Sequence, residues 1–352
     1  MKCSQETLVI LTPGFPKDEA DTTCVPPQQI FVRALKQVCP GLNVIVLTFE
    51  YPFHTAEYEW HGIRVIPIGG RDKGRLFRLR TWQKAWLILS KLNKENQLLG
   101  LLSFWMGECA LVGDKFAKQK KLTHYTWLLG QDAKKGNKYF KWIKPKGDSL
   151  IALSDFLARE IKQNYKITPA HIIPVGVDRA MFGTAPVKRD IDILGAGSLI
   201  PLKQYHLFVE AIALLKEIFP NIKAVICGKG PEMQQLQTMT MEKGLSANLL
   251  FVGEVAHTEV LALMQRSKIF LHPSNYEGFG AVLSEAFYAG AQVVSLTKPM
   301  NKDYRHHYVV KDMDEMITII LSILRSKKID HEPVLICPVE QIAKNMISLF
   351  VD

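Results

Sequence analysis

The stretch IFLHPSNYEGFGAVLSEAFYAGAQVVSL, residues 269–296, reads as a strand (269–274), a glycine-bearing turn, a helix (281–290) and a second strand (292–296). Within the helix, Val282, Leu283, Ala286, Phe287 and Ala289 form a broad apolar face and leave Ser284, Glu285 and Tyr288 on the other side. Strand, helix and strand in succession are the unit of a parallel sheet covered by helices. The turn also has a chemical character. Gly278 and Gly280 on either side of Phe279 let backbone approach a ligand closely, and the N–H groups opening the helix at Gly280 and Ala281 favour an anion. Glu277 lies before the helix and Glu285 inside it, so a ligand across the helix start meets both carboxylates. A nucleoside diphosphate suits that environment, whereas a lone glutamate on such a helix is an ordinary surface residue.

The same alternation runs along the whole chain. Strand-like runs at 7–12, 43–49, 63–68, 98–104, 124–129 and 150–154 are separated by helical stretches near 27–38, 75–93, 107–119 and 155–164. A second series follows, with strands at 191–197, 223–228, 248–253, 269–274 and 292–296 and helices near 203–218, 231–243 and 257–266. Two such series predict an α/β protein with two doubly wound parallel sheets, one domain over 1–176 and one over 189–335. The stretch 177–188 lacks strong periodicity and reads as the link, and 336–352 holds a final amphipathic helix expected to cross back to the first domain. Ligands in such folds sit beyond the carboxyl ends of the strands, so the chemistry is expected in a cleft where the domains face each other.

With 352 residues and 47% hydrophobic content, the chain is long enough for two domains and too apolar for disorder. No apolar run approaches the roughly 18–20 residues of a membrane span, and the apolar core before Pro13 is too short for a signal peptide. A cytoplasmic location is expected. The six cysteines show neither a CxxC pair nor zinc-type spacing, so no disulfide or metal site is expected. Of the net charge of +10, residues 1–175 carry +11 and residues 176–352 carry −1. The positive charge concentrates in RDKGRLFRLRTWQKAWLILSK (71–91), read as a helix with Leu76, Leu79, Trp82, Trp86 and Leu89 on one side among Arg75, Arg78, Lys84 and Lys91. Basic, tryptophan-bearing helices suit anionic membranes, giving an expected peripheral contact at the inner face of the cytoplasmic membrane; the alternative is a packed helix with a solvated face. No motif supports specific nucleic-acid binding.

The Glu277–Glu285 pattern, with Pro273, Ser274, Gly278, Phe279, Gly280, Ala286 and Gly290 around it, resembles the E-x(7)-E element of family-4 retaining glycosyltransferases of the GT-B fold (glycosyl transferases group 1). Three upstream segments are similar to that family as well: GAGSLIPLKQYHLFVEAIALL (195–215), AVICGKGPE (224–232) and NLLFVGEV (248–255). In the N-terminal half the likeness is thinner, resting on element order and on IIPVGVDRAMF (172–182). The resemblance implies a GT-B fold of two Rossmann-like domains and a retaining, metal-independent transfer of a hexose-type sugar from a UDP- or GDP-sugar donor to a glycan or lipid-linked acceptor. It further implies that Lys203 neutralises the diphosphate and that Glu277 holds sugar hydroxyls. Glu285 would accept from the ribose, and backbone near Gly230 and Val255 would receive the base.

Two departures stand out. Ser198 occupies the place of an arginine five positions before the lysine, and Leu129 in WLLGQD (127–132) occupies the place of a histidine. His124 is not an evident replacement for that histidine, and Gln131 and Asp132 remain polar candidates. In the first domain, Gly14 at the end of the first strand could meet a ligand or form a simple turn, and Trp105 and Glu108 point by topology toward the same crevice, where the tryptophan could stack on a sugar ring. The departures keep a non-catalytic GT-B partner subunit open, and less strongly a different GT-B enzyme, such as a phosphorylase or nucleotide-sugar epimerase. Polysaccharide biosynthesis is the expected context of the transferase reading.

Overall fold

The structure is a computed structural model that describes residues 6–71, 74–184 and 187–351, with residues 75 and 76 described by their backbone. In chain order the elements are β1 (Thr7–Gly14), α1 (Pro26–Val38), β2 (Asn43–Tyr51), β3 (Tyr58–Trp60), β4 (Ile63–Pro67), α2 (Arg75–Glu95), β5 (Leu98–Phe104), α3 (Glu108–Lys120), β6 (His124–Leu128), α4 (Lys138–Ile143), β7 (Leu150–Ala152), α5 (Asp155–Tyr165) and β8 (His171–Ile172). The chain continues through β9 (Ile191–Ala196), α6 (Tyr205–Lys216), β10 (Ala224–Cys227), α7 (Met233–Glu242), β11 (Leu249–Gly253), α8 (His257–Arg266), β12 (Ser267–His272), α9 (Ala281–Tyr288), β13 (Gln292–Ser295), β14 (His307–Val309), α10 (Met313–Arg325) and α11 (Val339–Val351). Two compact units result, Met1–Gly176 with Val339–Asp352, and Val177–Pro338.

The first unit carries an eight-stranded sheet of order β3-β4-β2-β1-β5-β6-β7-β8. Its central strand β1 is buried at six successive positions, Thr7 to Thr12, as a strand covered on both faces must be. All its pairings are parallel except β3 with β4, a short antiparallel hairpin at the edge that departs from the all-parallel expectation. Helix α11 packs on α1 and reaches β5 and β6: Tyr125 donates to the Leu349 carbonyl at 2.9 Å and meets the Phe350 ring edge-on at 5.0 Å. Gly100 makes room for that contact, since a Cβ there would lie 2.7 Å from the Phe350 ring.

Helix α2 sorts its residues differently from the expected stripe. Ala85, Leu89 and Leu92 are buried, and Trp86 packs edge-on against Phe116 at 5.2 Å, whereas Leu79 is 57% exposed beside exposed Phe77 and Leu87. At 100° per residue Leu79 falls on the flank opposite Thr81 and Ala85, so it faces outward with Arg80 and Lys84. Asp72 and Lys73, and the side chains of Arg75 and Leu76, fall outside the described residues.

The second unit has a six-stranded parallel sheet of order β11-β10-β9-β12-β13-β14. Helices α6 and α10 share one core with Ile193, Ile226 and Ile269, and α8 and α9 share another with Leu194, Phe270 and Val293. Sequence periodicity assigns nothing between 297 and 338, where β14 and α10 lie. A start signal was present there: Asp312 caps α10 by accepting from the Glu315 N–H at 2.9 Å. No described helix is long and apolar enough to cross a membrane.

Candidate functional site

In the second unit the chain leaves β9 toward β10 and β11 on one side, then returns to β12 and β13 on the other. The carboxyl ends of β9 and β12 therefore flank the point where strand order reverses, the place where an open α/β sheet leaves a crevice. After β9, a tight turn over Pro201–Lys203 leads into α6 through Gln204 at φ 50°. After β12 comes the segment 273–280. Backbone ties the two loops together: the Leu202 carbonyl accepts from the Ser274 hydroxyl at 3.2 Å and from the Asn275 N–H at 3.4 Å.

That tie brings Lys203 onto Glu277, with Nζ 2.5 Å from Oε2, and the same oxygen lies 2.9 Å from His272 Nε2. The three side chains are 18%, 15% and 1% exposed, so the pair sits in a mostly desolvated pocket. Burial pushes the Glu277 carboxyl up, but the His272 hydrogen bond and the Lys203 ammonium outweigh it and hold the group down to about 2. Burial lowers His272 despite the Glu277 bond. The arrangement is then a neutral imidazole donating from Nε2 to an ionised carboxylate that also neutralises a lysine. His272, the last residue of β12, was not singled out from sequence. Its position five residues before Glu277 at a strand end was the available signal.

Glu285 has a histidine partner too. His257, the first residue of α8, places Nε2 at 2.9 Å from Glu285 Oε1, with the two side chains 9% and 12% exposed. One carboxylate oxygen is thereby oriented, and the other retains acceptor capacity. Nothing local announces this pair, for the partners are 28 residues apart. On the same helix Ser284 is buried at 3%, against the expected polar face, because α9 packs on both α8 and the sheet.

Helix α9 starts at Gly280, which adopts φ 76° and ψ 63° with no side chain capping that end. A Cβ on Gly280 would meet Leu283 Cδ1 at 2.8 Å and Glu277 Cγ at 3.1 Å, so this glycine serves both the left-handed turn and the seating of Glu277. Gly278 and Phe279 are buried, and Phe279 points into a small cavity with Leu283, Phe287 and Tyr304, leaving its backbone to the turn. Ala281 is half-buried at the first helical position.

Gly230 acts through its backbone, but against protein: a Cβ there would overlap the Leu199 carbonyl, as one on Gly228 would overlap Gly197. The turns after β9 and β10 are stacked main chain on main chain, with the Leu199 N–H donating to the Lys229 carbonyl at 2.9 Å. Ser198 is exposed between them, and Lys229 stands across from it with its ammonium paired to Glu254. Val255 is half-buried beside Cys227 and joins the α8–α9 core.

The candidates of the first unit separate into two groups. Asp132 is structural: its Oδ2 accepts from the Met106 N–H at 2.9 Å and the Leu129 N–H at 2.8 Å, joining the loops after β5 and β6, while burial raises its pKa to about 7. Leu129 is buried, and His124 bonds Ser103 at 2.8 Å. Gln131 is exposed. Glu108 binds Trp82 Nε1 at 2.7 Å and Arg78 Nε at 3.0 Å, so the basic helix is pinned through one of its tryptophans. Gly14 and Trp105 lie near the carboxyl ends of β1 and β5, and a Cβ on Gly14 would make only ordinary contact with Tyr51 at 3.5 Å. Among the described residues no group of three or more histidines, cysteines and carboxylates is placed to hold a metal ion.

Residues 177–332 match the family model of glycosyl transferases group 1. The match covers most of the second unit and none of the first. It is similar to a glycogen synthase of Mycobacterium tuberculosis, 29% identical over 49% of this chain and 43% of the relative. It is also similar to the phosphatidylinositol N-acetylglucosaminyltransferase gpi3 subunit of Schizosaccharomyces pombe, 29% identical over 45% of this chain and 36% of that protein. The match thus spans less than half the length of these relatives. Among solved structures, sucrose-phosphate synthase from Thermosynechococcus elongatus superposes with a TM-score of 0.70 at 17% identity, covering 98% of this chain and 95% of that one. Anabaena HepE in complex with UDP and glucose gives 0.67 at 16% identity, covering 99% and 96%. At these identities the likeness shows the fold alone, and that fold is GT-B.

Proposed function

We propose that the protein is a retaining glycosyltransferase that moves a hexose-type sugar from a nucleoside-diphosphate donor to a glycan or lipid-linked acceptor. The observation that carries this reading is the Lys203–Glu277 pair at the strand-order reversal of the family-matched unit, beside an uncapped helix start. Lys203 and the first turn of α9 neutralise the diphosphate, as a preformed cation and helix N–H groups do for a leaving anion. Glu277, held by His272 on one side, turns toward sugar hydroxyls, since a carboxylate facing phosphate would repel it. Glu285, oriented by His257, accepts from the ribose. Gly230 and Val255 border the base through their backbone. HepE, bound to UDP and glucose, has the same fold, which supports a UDP-type donor here.

In the step itself the bond between the anomeric carbon and the diphosphate oxygen breaks, and the acceptor oxygen bonds that carbon on the same face. The departing phosphate oxygen takes the acceptor hydroxyl proton. The sequence has no Asp-x-Asp pair in a fitting position, so Lys203 and the helix start carry the electrostatic work and activity should survive chelators.

The test is calorimetric binding of UDP, GDP and ADP to the wild type and to Glu285→Ala. Selective binding, weakened about tenfold or more in the variant, supports the donor site. The exposed Ser198 favours a second reading, a non-catalytic GT-B partner subunit, and that reading gains if no nucleotide binds.

A further inference from the structure

The Lys203–Glu277–His272 cluster is neutral overall: an ammonium and an uncharged imidazole both meet one carboxylate oxygen, Glu277 Oε2. Its members come from the turn after β9, the segment after β12 and the last residue of β12 itself. With His272 1% exposed and the other two below one-fifth, solvent does little to screen any charge left over. In such a coupled set, a change at one member is answered by another.

A diphosphate forces such a change. On the transferase reading Lys203 turns its charge to the phosphates, and Glu277 is left as a buried carboxylate near a polyanion. A buried carboxylate without a cation is costly, and a site restores the balance by binding a proton. The carboxyl itself could hold that proton, but it would then offer sugar hydroxyls one acceptor fewer. The His272 ring is the other holder. Burial keeps it neutral, the Glu277 bond favours its charge, and the Lys203 ammonium disfavours it. Once Lys203 faces the diphosphate, its influence fades while that of Glu277 stays. An opposite charge within roughly 4–6 Å is enough to carry a histidine across neutral pH.

The groups packed around this ring leave the role to it. Phe270 lies parallel to it at 6.2 Å. Ser295, its register partner on β13, is uncharged and binds His307 Nε2 at 2.9 Å, and burial holds His307 down at about 4. On α9, Glu285 is matched by His257. Burial raises the Tyr205 hydroxyl on α6, with Cys227 and Glu277 adding to it, and burial raises the Cys227 thiol to about 11, so both stay protonated.

We infer, resting on the donor site proposed above, that His272 is a positioning residue that takes up one proton from solvent when the donor binds. The imidazolium so formed holds Glu277 ionised in place of Lys203. The proton goes to Nδ1, because Nε2 already carries the one given to Glu277. Donor affinity therefore rises as pH falls through the neutral range, and Glu277 keeps its charge and orientation for sugar hydroxyls.

The experiment is calorimetry of the full chain with the β-methyl esters of UDP, GDP and ADP, in which no phosphate titrates near neutral pH. Runs in HEPES and in Tris, whose ionisation enthalpies differ, give the number of protons taken up. The wild type should take up about half to one proton and bind roughly three- to tenfold more tightly per unit of falling pH, between about pH 8 and 6. His272→Gln keeps a hydrogen-bond donor for Glu277 and cannot titrate. It should still bind, with uptake near zero and an affinity flat over the same range. Wild-type binding with no proton taken up overturns the inference and spares the transferase reading, because Lys203 then bridges carboxylate and phosphate together. Uptake undiminished in His272→Gln puts the proton elsewhere and overturns it too. Should that variant fail to fold, nitrogen NMR of the wild-type imidazoles decides, and a His272 ring still neutral at about pH 6 with an ester bound overturns it. Absence of binding by every ester removes the transferase reading and this inference together, so the two failures are distinguishable.

Discussion

Replacing Glu277 by glutamine keeps the shape of the side chain and its hydrogen bond from His272, and removes only the charge that faces Lys203. In the folded protein the Glu277 carboxyl is held near 2, against an ordinary value of 4.5. A displacement of that size corresponds to about 3 kcal/mol of stability, using roughly 1.4 kcal/mol per pH unit. With both partners less than one-fifth exposed, screening takes little from it, so Glu277→Gln should cost about 2–3 kcal/mol at pH 7. The sign with pH follows from the depressed value. The unfolded chain takes up its proton first as pH falls, so the contribution is complete above about pH 5 and is lost between about 4.5 and 2. The gap between wild type and variant should shrink by more than half by about pH 3. Urea is the right denaturant, because guanidinium would screen the pair. All six tryptophans lie between residues 60 and 142, in the first unit, so the second unit unfolds silently in tryptophan fluorescence and is followed by far-UV circular dichroism. A gap below about 0.5 kcal/mol at pH 7, or one that stays constant from pH 7 to 3, would refute the reasoning.

If Lys203 plays the proposed role, acting chiefly on charge that develops on the leaving diphosphate, Lys203→Ala should lower kcat about 10²- to 10³-fold with little change in donor KM. Steady-state kinetics in which only KM moves would assign the lysine to ground-state binding instead. The outward face of α2, with Phe77, Leu79 and Leu87 among Arg80 and Lys84, should bring the protein down with anionic vesicles at low salt, and Arg80→Glu with Lys84→Glu should release it. Failure of the wild type to sediment would leave that face as solvated surface.

The paired glutamates were legible because their signal is local. A glycine step, an acidic residue before it and an apolar helix after it occupy one short segment, and each element reports its own backbone geometry. His272 was visible in that segment but gave no sign of its role, since a strand-end histidine is ordinary until the chain folds its ring onto Glu277. Asp132 reads as a polar candidate in the sequence, and only the fold makes it a clasp between two loops, its Oδ2 accepting from the main-chain N–H groups of Met106 and Leu129. Leu79 seemed part of a packed stripe. A few tens of degrees of drift around a 21-residue helix put it outside.

From its sequence alone the protein's alternation of strands and helices is determined, because side-chain period is set by local backbone geometry and each apolar face demands cover. So is the division of charge, which places the positive field in the first half. Which lysine meets which carboxylate was decided only in three dimensions: Lys203 and Glu277 are 74 residues apart, and they touch because β9 and β12 are neighbours in the sheet. The same holds for His257 on Glu285. Neighbouring strands are chosen by burial of whole faces at once, a sum over many distant residues that no short window contains.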